Sequence, residues 1–267
     1  MKKSSFINKY KHLLNDIINI LAKNKKEFRG RNNKYNNFFY INYIFRILFY
    51  GEFWNTIDCK KYCDNSTIRK KFYLWSNLGI FDIAYRLLLD KYSKNRTFKY
   101  LFIDSTIIQN LNCSDKRFID YYYKIIGKKQ TKISIICDNN SIPIIYKLSN
   151  PKSHDIKICK DIIKTSKINV KKDAILVGDK GYITKRRILK LKNNKRIKII
   201  AKYRTNQKKI NTSIEKALLR KRIKIENLFA KIKNSYKRIR FIYDRNFKNY
   251  ETFLKMAITC EIIKFLY

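Results

Sequence analysis

After "YSKNRTFK" (92–99) the apolar residues stop recurring every three or four positions and gather into short runs: "YLFIDSTII" (100–108), "TKISIICD" (131–138), "IPIIYKLS" (142–149), "DAILVGD" (173–179) and "RIKIIAKY" (196–203). Each run is rich in β-branched and aromatic residues and is bounded by turn formers, which reads as strand. "DNNS" at 138–141 suits a tight hairpin turn between the second and third runs. "HDIKICKDIIKTSKI" reads as a helix between the third and fourth runs, and "TKRRILKLKNN" as another between the fourth and fifth. A long helical pattern from about 213 to 240 and an apolar helix from about 250 to 265 follow. Strands in series followed by alternating helices and strands require a mixed sheet covered by helices, an α/β domain.

The chain upstream is organised differently. From residue 5 to about 95 the apolar spacing is helical, Pro is absent, and Gly30, Gly51 and Gly79 fall where turns are expected. The most apolar stretch, "FFYINYIFRILFY", carries Asn42 and Arg46 and is too short to span a bilayer, so it reads as a core helix. Asn65, Ser66 and Thr67 offer N-caps ahead of a basic helix running through Trp75. That helix, in a helix-turn-helix, would set Arg69, Lys70 and Lys71 against DNA. Its alternative is a three-helix packing module with a solvated basic face. The division expected is a helical segment over 1–95 and an α/β domain over 96–267.

Charge narrows the partners. The 267 residues include 62 Lys and Arg against 20 Asp and Glu, a formal net charge of +42 spread along the chain. Hydrophobic residues make up 45%, so this is a folded protein and not a disordered basic tail. Such a compact polycation repels itself unless a polyanion neutralises it, which points to nucleic acid, with a membrane surface as the weaker choice. Heavy use of Lys, Asn, Ile and Tyr also fits AT-rich coding, which accounts for part of the charge without any function. Six cysteines lack paired C-x2-C spacing and there are two histidines, a poor set for structural zinc even though Cys59 and Cys63 could share a helix face. No signal peptide is evident, so the thiols are expected to stay reduced inside the cell, with the DNA.

With acids so scarce, their positions carry information. Asp104 in "LFIDST" and Asp179 in "LVGDKGY" lie near the ends of two strand runs, where an α/β sheet opens into its ligand crevice. If those runs are neighbours the two carboxylates can share a cation. Either one alone could be a turn or capping residue. Glu226 lies in "LRKRIKIENLFAKIKNSYKRIR", where Ile225, Leu228, Phe229, Ile232, Tyr236 and Ile239 form one apolar stripe and Arg222, Glu226 and Lys233 line its edge. An Arg222–Glu226 surface pair is the plainer reading of that edge. Phosphodiester cleavage and strand transfer supply a reason for three acids to meet, because two divalent cations roughly 3.5 to 4 Å apart stabilise both the attacking and leaving oxygens, and such cations take carboxylate oxygens. Asp138 reads as a hairpin turn residue, Asp155 as a first-turn helix acid and His154 as a capping or packing residue.

The ordered set "FIDST", "GKKQTKISIICDNNSIPI", "SNPKSHD", "VGDKGY" and the R-x3-E-x6-K of Arg222, Glu226 and Lys233 resembles the DDE transposases of bacterial insertion sequences, in the large group typified by insertion sequences four and five. The resemblance covers roughly residues 100–245, and "FYLWSNLGIFDIAYRLL" looks like the DNA-binding front end of that family. It implies an RNase H-like fold, a mixed sheet flanked by helices and preceded by an all-helical DNA-binding segment. It implies Asp104, Asp179 and Glu226 as catalytic metal ligands for two Mg²⁺ or Mn²⁺ ions, cutting transposon ends and joining the freed 3′-hydroxyl to target DNA. Arg222 and Lys233 would contact DNA near the cleaved phosphate, and Lys180, beside the second acid, could meet another. The implied partners are double-stranded DNA, as terminal repeats and target, and a second copy of the chain on paired ends, with no membrane. The short interval between Asp179 and Glu226 leaves no room for the large β insertion of some relatives. The fuller signature has Tyr three residues before the Arg, where this chain has Leu219. Two alternatives share the fold: a decayed or domesticated DNA-binding protein, and a nuclease that hydrolyses without strand transfer.

Overall fold

The computed structural model describes residues 2–24, 34–115, 117–121, 128–165, 170–183, 188–190, 196–203 and 210–267. These form two compact units, Ser93–Lys231 and Met1–Tyr92 with Ile232–Tyr267. A single cut near residue 95 therefore does not divide the chain in space, because the last 36 residues by number, 232–267, pack with the N-terminal helices.

In the helical unit, α1 (Lys2–Asn24), α2 (Asn37–Tyr50), α3 (Asn65–Asn77) and α4 (Ile80–Ser93) are joined by α8 (Phe247–Leu266). The expected core helix is α2, opened by Asn36, whose side chain accepts from the Phe39 amide, and closed by Gly51 at φ 71°. A left-handed C-cap there needs glycine. Gly79, at φ 74°, makes the turn between α3 and α4. The N-cap of α3 is Asp64, one residue ahead of the three candidates, and its carboxylate accepts from the Ser66 amide at 2.7 Å. An ionised acid is the better acceptor at a helix start. Apolar on almost every side, α8 is buried accordingly, with Phe253 stacked on Phe72 at 4.5 Å between ring centroids.

In the other unit, β1 (Phe98–Asn110), β2 (Asp120–Tyr121), β3 (Lys129–Asp138), β4 (Pro143–Ser149), β5 (Val170–Val177), β6 (Ile188–Lys190) and β7 (Arg196–Ile200) form a mixed sheet in the order β2-β3-β1-β5-β7-β6, with β4 also on β3. Strands β1, β3 and β4 run antiparallel, whereas β1, β5 and β7 run parallel, the RNase H-like arrangement expected. The hairpin falls at 138–141: Asp138 accepts from the Asn140 and Ile142 amides, and Ser141 sits at φ 60°. α5 (Asp155–Thr165) buries Ile158, Cys159, Ile162 and Ile163.

Two expected helices differ. In "TKRRILKLKNN" residues 188–190 are a strand, paired antiparallel with β7 from Ile188↔Lys198 to Lys190↔Arg196. The open edge of β7 outbids a weak local helical preference. Residues 184–187 and 191–195 lie outside the described residues, as does Gly127 of the "GKKQTK" motif. The long helix from 213 breaks into α6 (Ser213–Arg220) and α7 (Ile223–Ser235). Between them the Lys221, Arg222, Lys224 and Ile225 amides bond three residues back, at 3.0–3.2 Å, so the chain tightens through a 3₁₀-type turn at Arg222.

Candidate active site

Register sets the first two acids side by side. The parallel β1–β5 pairing ends at Phe102↔Val177, so Asp104 and Asp179 each lie two residues past the last paired position. Asp104 is not at a strand end: β1 continues to Asn110, and Asp104 sits opposite Ile135 of β3. What stops beside it is β5. The chain after β5 turns into a short 3₁₀ segment, Lys180–Tyr182, with Asp179 at its N-cap position but making no side-chain capping bond. That carboxylate is left to face Arg222.

Arg222 gathers the acids. Its Nη2 donates to Asp104 Oδ2 at 3.0 Å and lies 3.4 Å from Glu226 Oε1, while Nη1 is 3.7 Å from Asp179 Oδ1. Two oxygens within reach of one nitrogen are closer together than one helix diameter of about 10–12 Å. Three residues far apart in the chain therefore converge on a single guanidinium. The Arg222–Glu226 pair exists, as the plainer reading held, and it is one side of a larger cluster. The α7 start that carries both is tied to the β3–β4 hairpin by Lys224, whose Nζ donates to Asn139 Oδ1 at 3.0 Å.

The environments of the acids are unequal. Asp104 is 22% exposed at its side chain, against 50% for Asp179 and 51% for Glu226. Burial pushes the Asp104 carboxyl above the ordinary aspartate range, opposed by the hydrogen bond from the Ser105 amide and by the Arg222 charge. Both Asp104 oxygens are engaged, Oδ1 by Ser105 N at 2.8 Å and Oδ2 by Arg222. As the side chains stand, no group of three His, Cys, Asp or Glu among the described residues is set to hold a metal, and the Arg222 guanidinium lies among the three carboxylates. The donor set nonetheless fits hard divalent cations: carboxylate oxygens on rigid elements, no thiolate or imidazole among them.

Beneath the acids lies a polar framework that the sequence reading passed over. Ser105 Oγ is 2.7 Å from both Ser134 Oγ and Tyr182 Oη, which links β1, β3 and the 3₁₀ segment directly under Asp104 and Asp179. Lys132, 10% exposed, donates to the Ser153 carbonyl at 2.7 Å and pairs with Asp155 at 3.1 Å. Its signal was available: one lysine in an inward position of an apolar strand. Asp155 thus holds a buried cation as well as opening α5, and the exposed His154 caps that helix through its carbonyl, accepting from the Lys157 and Ile158 amides. Gly178 and Gly181 leave space for close approach. A Cβ on Gly178 would stand 2.9 Å from Ile103 and Tyr182, and one on Gly181 2.8 Å from Asp155.

Lys180 is exposed beside Asp179. Lys233 lies on α7 in the portion belonging to the helical unit, and burial lowers its ammonium pKa. On α3, Lys70 is exposed and Arg69 half-buried beside Lys60 and Asp64. Lys71 is half-buried: its ammonium sits over the Tyr40 ring at 5.7 Å, and desolvation lowers its pKa. Three consecutive helical residues span about 200° and cannot all face one way. Cys59 is buried, with its thiol 2.9 Å from Asn65 Oδ1, and burial raises its pKa to about 11.

Among solved structures, the chain is similar to a piggyBac transposase in a synaptic complex with hairpin DNA, determined by cryo-EM, with a TM-score of 0.52 at 11% identity over 98% of this chain and 72% of that chain. That likeness is one of fold. No curated protein matches the sequence. The family model described as the transposase DDE domain matches residues 98–260, a span that holds Asp104, Asp179, Arg222, Glu226 and Lys233. With most of its length inside that match and its fold in agreement, the chain belongs to the transposase DDE domain family and is a DNA transposase.

Proposed function

We propose that Asp104, Asp179 and Glu226 are the catalytic acids, that they hold two Mg²⁺ or Mn²⁺ ions, and that the protein cleaves transposon ends and joins the freed 3′-hydroxyl to target DNA. The observation that supports this is the convergence of the three carboxylates around Arg222. When bound, the cations supply Lewis-acid stabilisation of the attacking and leaving oxygens. The protein's own part is positional. β1 and the segment after β5 fix two ligands in register, and α7 brings the third. In each step an oxygen, from water during cleavage and from the 3′-hydroxyl during transfer, forms a bond to phosphorus as the opposite P–O bond breaks, with no covalent protein intermediate. Arg222 and Lys180 lie beside the acids and are suited to phosphate contacts, the cationic chain drawing the DNA in. Arg69 and Lys70 on α3 are proposed as further DNA contacts, and a pair of chains as the species that holds two ends. No helix among the described residues is long and apolar enough to cross a membrane.

The test is incubation of purified protein with its flanking terminal-repeat DNA and Mn²⁺. Joined products are expected from the wild type. Asp104→Asn, Asp179→Asn and Glu226→Gln are each expected to remove cleavage, by at least about a hundredfold, while DNA retention in a mobility-shift assay persists. Hydrolysis without joining would instead identify a nuclease, and binding alone a decayed copy.

A further inference from the structure

We propose that Arg222 is an intramolecular counter-ion occupying the cation pocket, and that DNA phosphate opens the pocket by drawing it out. Divalent-cation binding and DNA binding are then positively coupled through this one side chain. The inference rests on the acid assignment above and adds to it the side chain that must move before a cation can bind.

Competition for the same atoms carries the argument. Asp104 has one oxygen committed to the Ser105 amide, and its other is taken by Arg222 Nη2 at 3.0 Å. A cation bound at that oxygen would have to displace the guanidinium, whose positive charge would otherwise repel it at contact distance. Nη2 also reaches Glu226 and Nη1 reaches Asp179, so one departure frees all three acids.

One polar atom of Arg222 is unsatisfied where it stands. Its Nε is buried without a hydrogen-bond partner among the described residues, an unsatisfied donor that leaving the pocket would relieve. Its side chain is 21% exposed, so a route to solvent exists. It sits in the tight turn between α6 and α7, ahead of the regular helix. A phosphate is the natural receiver, since guanidinium pairs with phosphate as readily as with carboxylate. By linkage, whatever factor DNA adds to cation affinity, the cation adds to DNA affinity.

The experiment titrates Mn²⁺ into the full chain and reads free Mn²⁺ by electron paramagnetic resonance, with and without a short duplex of arbitrary sequence. Asp104→Asn provides the background, including Mn²⁺ held by the duplex. Without DNA, Arg222→Gln is expected to bind Mn²⁺ roughly two- to fivefold more tightly than the wild type, the upper part of the range measured for single ion pairs. Duplex should raise wild-type affinity by a similar factor and leave Arg222→Gln unchanged. Arg222→Lys, which keeps a cation, should restore weak DNA-free binding and covers the case in which the glutamine variant fails to fold. Equal or weaker Mn²⁺ binding by Arg222→Gln, or no gain for the wild type on adding duplex, would overturn the coupling alone. If Asp104→Asn titrates like the wild type under both conditions, the acid assignment fails with it.

Discussion

Tyr182 shows how a residue outside the acid set contributes. Its hydroxyl lies 2.7 Å from Ser105 Oγ, which in turn meets Ser134, and the ring is 1% exposed. Tyr182→Phe removes that bond while Ser105 keeps Ser134 as a partner, so the expected loss in urea unfolding is about 1 kcal/mol. Cleavage should fall less than for any acid variant; an equal fall would mean the hydroxyl takes part in the chemistry. Asp64 offers a pH test. Hydrogen bonds from Ser66 hold its carboxyl below the ordinary aspartate value. A depressed carboxyl stabilises the fold above the unfolded pKa of about 3.9, and that contribution is lost as pH falls through the lower, folded value. Asp64→Ala should therefore melt earlier than the wild type at neutral pH, with the gap closing progressively below about pH 4. A gap that persisted in acid would assign the cap's effect to packing instead of charge.

At the scale of elements, the close fit around β5 is what keeps two acids together. Gly178 donates to the Ile200 carbonyl at 3.0 Å, and its missing Cβ lets Ile103 of β1 meet Tyr182. Gly178→Ala drives a methyl into both at 2.9 Å. The expected cost is about 1–3 kcal/mol by urea unfolding, together with weaker cleavage, because Ile103 and Tyr182 adjoin Asp104 and the segment that carries Asp179. Unchanged unfolding and cleavage would show that the contact relaxes freely. The break between α6 and α7 matters similarly. Sequence periodicity runs through 213–240 without interruption, yet i→i−3 bonding at Lys221 to Ile225 starts a new helix there. Helical arithmetic still placed Arg222 and Glu226 together, since they remain neighbours across one turn.

For the whole molecule, the noteworthy partner of the N-terminal helices is α8, from the far end of the chain. Phe253, fully buried, stacks on Phe72 and lies near Trp54. Phe253→Ala should cost about 3–5 kcal/mol and expose α3 to protease cleavage, an outcome that would not occur if the first 92 residues were stable alone. The β-rich runs, the hairpin at 138–141 and the core helix α2 were legible because each follows from local chemistry: strand alternation, turn residues and helical spacing. The contact of Lys71 with Tyr40, the strand at 188–190 and the pairing of 232–267 with the first helices were not, because each depends on a neighbour distant in sequence. Sequence alone determined which residues are proposed for this chemistry, since residue type and spacing are local properties. Tertiary structure decided that Arg222 stands among the three acids, because only the closing of β1, β5 and α7 around one another brings those charges within hydrogen-bonding range.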